Sequence, residues 1–137
     1  MYRKVCVPLC WLYKSTFKTL YCPLQKPKMK ITISLGSNTE QQQHIKEAIE
    51  RLKTVFSDIT FTQPQWTDPI GVVSDRYLNC LANFTTSLSL QQLVQQLKDI
   101  ETAMGDTHEN HKQGIVLIDL DVIKYGDKEV KKIAWLQ

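Results

Sequence analysis

The stretch "GIVLIDLDVIKYG", Gly114 to Gly126, constrains this chain more than any other. It is apolar enough for a buried β-strand, yet Asp119 and Asp121 lie in its middle. Alternate side chains of a strand point to opposite faces. Val116, Ile118, Leu120 and Val122 then make one wholly apolar face that other elements must cover. Ile115, Leu117, Asp119, Asp121 and Ile123 make the other. Two carboxylates at i and i+2 repel each other, and apolar neighbours make each costly to ionise. Bulk water, arginines or a cation can offset that cost. With water alone, the pair is a wet sheet surface. With a cation, it is a site for a hard divalent ion such as Mg2+, which takes oxygen ligands, often one or two carboxylates plus substrate phosphates.

The rest of the sequence supplies the covering elements. Lys30 to Leu35, "KITISL", alternates as a strand does. In the following "GSNTEQQ", Gly36 suits a sharp turn, and Thr39 with Gln42 has capping-box spacing. Ile45, Ala48, Ile49, Leu52, Val55 and Phe56 recur at helical steps. A second strand is expected from Ile59 to about Trp66, then a loop, "TDPIGVVSD", and a third strand from Tyr77 to Ser87. Ser89 and Gln92 offer another capping box, followed by the stripe Leu90, Leu93, Val94, Leu97, Ile100 and Met104. "GDTHENHKQG" reads as a polar loop leading to the aspartate strand, and Glu129 to Leu136 as a possible added edge strand. The order β-α-β-β-α-β predicts an α+β domain of ferredoxin-like type, two helices covering one face of a four-stranded antiparallel sheet. The carboxylates would then look away from the helices. Such a fold hosts many functions and decides none.

At 137 residues the chain has room for one domain with one core. Its net charge of +3 is unevenly placed. Met1 to Lys28 holds Arg3, Lys4, Lys14, Lys18, Lys26 and Lys28 and no acid, so the remainder is mildly acidic. That excludes a broad basic surface for nucleic acid. The apolar run Val5 to Tyr13 is broken by Pro8 and is too short to span a membrane. Residues 1–28 read as a leader outside the domain, either a transit peptide or a stretch ahead of a true start at Met29. Residues 29–137 read as the domain. Cys6, Cys10 and Cys22 fall in the leader, and Cys80 reads as a small buried hydrophobe rather than part of a disulfide or zinc framework.

"ITISLGSN", "TDPIG", "YLN" and "IDLDVIKYG", in this order and at these separations, resemble the 6-hydroxymethyl-7,8-dihydropterin pyrophosphokinase family over Ile31 to Gly126. The resemblance implies a ferredoxin-like cytoplasmic enzyme of folate biosynthesis. Such an enzyme moves pyrophosphate from Mg-ATP to 6-hydroxymethyl-7,8-dihydropterin and releases AMP, without nucleic-acid or membrane partners. It implies that Asp119 and Asp121 are the catalytic metal ligands and hold two Mg2+ ions with ATP. It implies that Thr67, Pro69, Ile70, Gly71, Tyr77 and Asn79 line the pterin pocket. An amide such as Asn79 suits a polar ring edge because it both donates and accepts. Lys98, Glu101 and Val122 fall on ATP contacts. Oligomeric state is left open.

The sequence also departs from the family. Arginines that clamp phosphates are usual before the aspartate strand. Here "GDTHENHKQGIVL" has none: Asp106 and His108 stand at basic positions, Val116 replaces the nearest arginine, and Gln113 replaces a tryptophan. His108, His111 and Lys112 are the available phosphate candidates. The chain stops at Gln137, short of a family segment bearing histidine and arginine. Two expectations follow: an impaired transferase, or a non-catalytic module of the same fold that binds Mg-nucleotide or pterin.

Overall fold

The computed structural model describes residues 27–69 and 75–132 in full and the backbone of 2–5 and 7–12. In chain order the elements are β1 (Tyr2–Val5), β2 (Val7–Leu12), β3 (Met29–Ser37), α1 (Gln41–Val55), β4 (Thr60–Phe61), β5 (Gln65–Thr67), β6 (Tyr77–Thr86), α2 (Leu90–Ala103), α3 (His108–Lys112), β7 (Asp119–Tyr125) and β8 (Lys128–Glu129). β1 and β2 pair only with each other. The others form one antiparallel sheet in the order β4-β6-β3-β7-β8, with β5 also on β6.

The chain is thus α+β, as expected, but its sheet has six strands rather than four. The expected second strand divides into β4 and β5. Pro64 has no N–H to give to the ladder. Thr62 bridges the gap instead, donating its N–H to the Leu81 carbonyl and accepting the Leu81 N–H at Oγ1, both at 2.9 Å. β8 adds the far edge through a tight turn at Gly126, whose φ of +63° suits glycine. The strand expected over Glu129 to Leu136 is only Lys128–Glu129 among the described residues.

Ile31, Ile33 and Leu35 of β3 face Phe84, Ala82 and Cys80 of β6 across the ladder. Leu120 and Val122 of β7 join them on the same side. Ile45, Ala48 and Leu52 of α1 and Leu93, Leu97 and Ile100 of α2 close over this surface in one core. Both helices therefore cover one face of the sheet. Burying each large aliphatic here stabilises by about 1.5–3 kcal/mol. Cys80 is 1 % exposed, and burial pushes its thiol up to about 11, so it acts as a core residue.

α2 begins as its sequence predicts: Ser89 Oγ accepts the Gln92 N–H and Gln92 Oε1 accepts the Ser89 N–H. α1 does not. Its N-cap is Glu40, in the left-handed region at φ 40°, and no side chain caps it. The polar loop after α2 contains the short helix α3, capped by Thr107 through the Asn110 N–H.

Candidate functional site

The aspartate strand begins at Asp119, five residues later than the apolar run suggests. The preceding segment is bound by a single residue, Asn38, rather than by a strand. Asn38 Oδ1 accepts the Val116 N–H at 2.7 Å, Asn38 Nδ2 donates to the Gly114 carbonyl at 2.8 Å, and the Asn38 N–H donates to the Val116 carbonyl at 3.0 Å. From below, Asp106 Oδ1 accepts the Leu117 N–H at 2.9 Å, and Glu101 Oε2 accepts the Leu120 N–H at 2.7 Å. Two carboxylates at the end of α2 thus fix the approach to β7.

A β-bulge at Ile123 ends the simple alternation: Ile33 faces Val122, but Thr32 faces Lys124. Ile123, left over by the bulge, is buried at 8 % exposed but is not part of the core cluster that Leu120 and Val122 join. Val122 lies in the core at 5 % exposure, so its side chain points away from the aspartates. Any contact it makes on the carboxylate face is through its backbone.

Asp119 and Asp121 lie on the face away from the helices, opposite Gly36 and Ser34 of β3. Across β3, Gly36 also faces Asn79 of β6. One cross-strand row therefore reads Asp119, Gly36, Asn79, with the outer strands about 10 Å apart. The glycine is required by space: a Cβ there would lie 2.7 Å from Asn79 Oδ1. Asn79 is 4 % exposed, and its Nδ2 donates to Thr67 Oγ1 at 2.6 Å. Tyr77, half-buried on the same face, pairs with the Asn38 side chain; burial and then Asp119 hold its phenol above the usual range. Thr67, Tyr77 and Asn79 are thus brought together, with Pro69 half-buried two residues beyond Thr67. Ile70 and Gly71 lie outside the described residues.

The electrostatics suit a cation. Burial, and then the neighbouring Asp121, push the Asp119 carboxyl up to about 6. Burial pushes Glu101 up to about 7 despite the Leu120 N–H, with Asp119 adding to the rise. Lys131 Nζ is 2.9 Å from Asp121 Oδ2. Among the described residues no three His, Cys, Asp or Glu side chains converge as a metal cluster. Two adjacent carboxylates, one of them paired with Lys131, fit a hard ion that completes its shell with water and phosphate, and Mg2+ is such an ion.

The remaining candidates are spread around this centre. Lys98 is exposed on α2. His111 Nε2 is 2.6 Å from Asp106 Oδ2, so this histidine is already engaged. His108 is exposed, and Lys112 lies 3.9 Å from Glu109. Asp106 is buried and latches the segment before β7, a structural task that its position in a polar loop did not announce. Asn38 and Lys131 were also missed. Asn38 gives no local signal, because its partners are 76 and 78 residues away. Lys131 gives no local signal either, because its reach to Asp121 crosses the hairpin that turns at Gly126. A groove of about 410 Å³ opens between Lys30, Thr32, Asn83 and Lys124, and no candidate residue lines it.

Comparison with known proteins converges on the same part of the chain. The family described as 7,8-dihydro-6-hydroxymethylpterin-pyrophosphokinase matches residues 32–136. A folate synthesis bifunctional protein of Arabidopsis thaliana is 30% identical over 104 residues, 74% of this chain. The match takes in 22% of that relative's length. No helix among the described residues is long and apolar enough to cross a membrane.

Proposed function

Given that this chain belongs to the 7,8-dihydro-6-hydroxymethylpterin-pyrophosphokinase family, we propose that it transfers pyrophosphate from Mg-ATP to the hydroxymethyl oxygen of 6-hydroxymethyl-7,8-dihydropterin, releasing AMP, as a step of folate biosynthesis. The observation that carries this reading is the row Asp119, Gly36, Asn79 across three adjacent strands. It sets an acid pair for a metal-bound nucleotide beside an amide for a polar ring, with Gly36, which has no side chain, between them. The strand order around β3 is read as a ferredoxin-like core extended by β8.

In this mechanism Asp119 and Asp121 would hold two Mg2+ ions with the nucleotide, and those ions would supply charge neutralisation for the phosphates. Asn79 orients the pterin by its amide, Thr67 fixes that amide, and Tyr77 with Pro69, Ile70 and Gly71 walls the ring. Glu101 holds Leu120 and so the height of the acid pair, while Lys98 is placed to meet the nucleotide from α2. His108 and Lys112, the latter loosely paired with Glu109, are the remaining phosphate candidates before β7. Phosphoryl transfer depends mostly on positioning and charge stabilisation. With no arginine from Gly105 to Ile118, turnover is expected to be slow.

A second reading, a non-catalytic module that binds Mg-nucleotide or pterin, is favoured by Asp106 and His111. Asp106 stands at an expected basic position and His111 is a phosphate candidate, yet they bind each other, and Asp106 also binds the β7 lead-in. Calorimetric titration of the full chain, with Mg2+ and a non-hydrolysable ATP analogue and with the pterin, separately and together, distinguishes the two. The transferase binds both. Gly36→Ala pushes a methyl group against Asn79 and is expected to weaken the pterin about tenfold while leaving the nucleotide unchanged. Binding of one ligand only supports the module; binding of neither removes both readings.

A further inference from the structure

The ion pair between Lys131 and Asp121 has a structural cause that reaches beyond surface chemistry. The bulge at Ile123 leaves that residue's carbonyl outside the regular β7–β8 ladder. The carbonyl captures the Val130 N–H at 2.7 Å and the Lys131 N–H at 3.3 Å. The backbone of Lys131 is thereby tied to β7 just past the acid pair, and its ammonium reaches Asp121 Oδ2 at 2.9 Å. The lysine side chain is half exposed and the aspartate mostly covered. Lys131 therefore has room to swing while Asp121 does not.

We infer that Lys131 is a built-in counter-ion of the acid pair, seated on Asp121 in the metal-free chain and re-pairing with nucleotide phosphate when a divalent cation takes its place. This rests on Asp119 and Asp121 being the metal–nucleotide site. The physical reason is competition for one oxygen. Asp121 Oδ2 is already neutralised by an ammonium at contact distance, so a bare divalent cation must displace that ammonium and then bear its repulsion nearby. A cation that arrives with phosphates brings new anionic oxygens to which the tethered ammonium can turn. The chain is thus built to discriminate between free metal and metal–nucleotide. Lys131 also supplies a positive charge to a site whose lead-in segment has no arginine.

The test is calorimetry on the full chain, using Mn2+ alone as one probe and Mg2+ with a non-hydrolysable ATP analogue as the other. Lys131→Gln is expected to bind Mn2+ roughly two- to fivefold more tightly and the Mg–nucleotide about tenfold more weakly. Opposite signs on the two probes are not the signature of a folding defect. Lys132→Gln removes the same charge one residue further on and should move neither constant appreciably, and Lys131→Arg should restore nucleotide binding. Equal shifts in Lys131→Gln and Lys132→Gln, or no shift in either probe, overturn the inference while leaving the acid-pair site intact. Failure of the parent chain to bind either probe overturns the site reading itself, and with it the inference.

Discussion

At the scale of single residues, Asp119 carries the cost of the site in the metal-free chain. Its carboxyl is held near 6, against 3.8 for an unperturbed aspartate, chiefly by burial and then by Asp121. Between those values the folded state holds a proton that the unfolded chain has lost. Stability from this group is therefore full below about pH 4 and falls as pH rises through 6. Asp119→Asn removes the ionisation. In metal-free thermal melts the variant should become progressively more stable than the parent from pH 4 to pH 8, the gap reaching on the order of 1–3 kcal/mol. Mg2+ with an ATP analogue should then raise the Tm of the parent at pH 8 and not that of the variant. A gap that stays constant with pH would show that Asp119 titrates as an ordinary surface acid.

At the scale of elements, Asp106 decides where β7 begins. Removing its carboxylate leaves the partly buried N–H of Leu117 without its acceptor and His111 without its partner. Asp106→Ala should cost about 2–4 kcal/mol in denaturant unfolding. Asp106→Asn should cost less, because an amide oxygen can still accept the Leu117 N–H. Equal losses in the two variants would argue against the latch. The same elements show what sequence can reveal. α2 was legible because its start rests on a local exchange between Ser89 and Gln92. Both helices' buried stripes followed from periodicity, with Val55 and Val94 left exposed at their margins. The start of α1 was not legible: Asn38 is drawn to Gly114 and Val116, and the cap passes to Glu40. The apolar run before Asp119 looked like strand because its composition is that of a strand, but its pairing partner is one asparagine, through backbone and side chain. The face of Asp119 and Asp121 was legible from alternation alone. The bulge at Ile123 was not, because nothing local marks it. Thr67, Tyr77 and Asn79 were expected together from the resemblance, and they converge through the β5–β6 pairing.

At the scale of the whole molecule, one core formed by β3, β6, β7, α1 and α2 supports one chemical face. Neither β1 nor β2 enters the six-stranded sheet. Deleting residues 1–28 should leave the Tm within a degree or two, since about 1 kcal/mol would already shift it by several degrees in a domain of this size. A larger drop would place the leader within the folding unit. The central claim is that Asp119 and Asp121 on this face work a pyrophosphoryl transfer. The most direct measurement is AMP formation from ATP by the full chain, with Mg2+ and 6-hydroxymethyl-7,8-dihydropterin, for the parent and for Asp121→Asn. The account predicts AMP that requires both the pterin and Mg2+, at a rate below an ordinary enzymatic ~1 per second, and that is lost in the variant. Pterin-dependent AMP formation undiminished in Asp121→Asn, or none above background in a parent chain that binds both substrates, would contradict it.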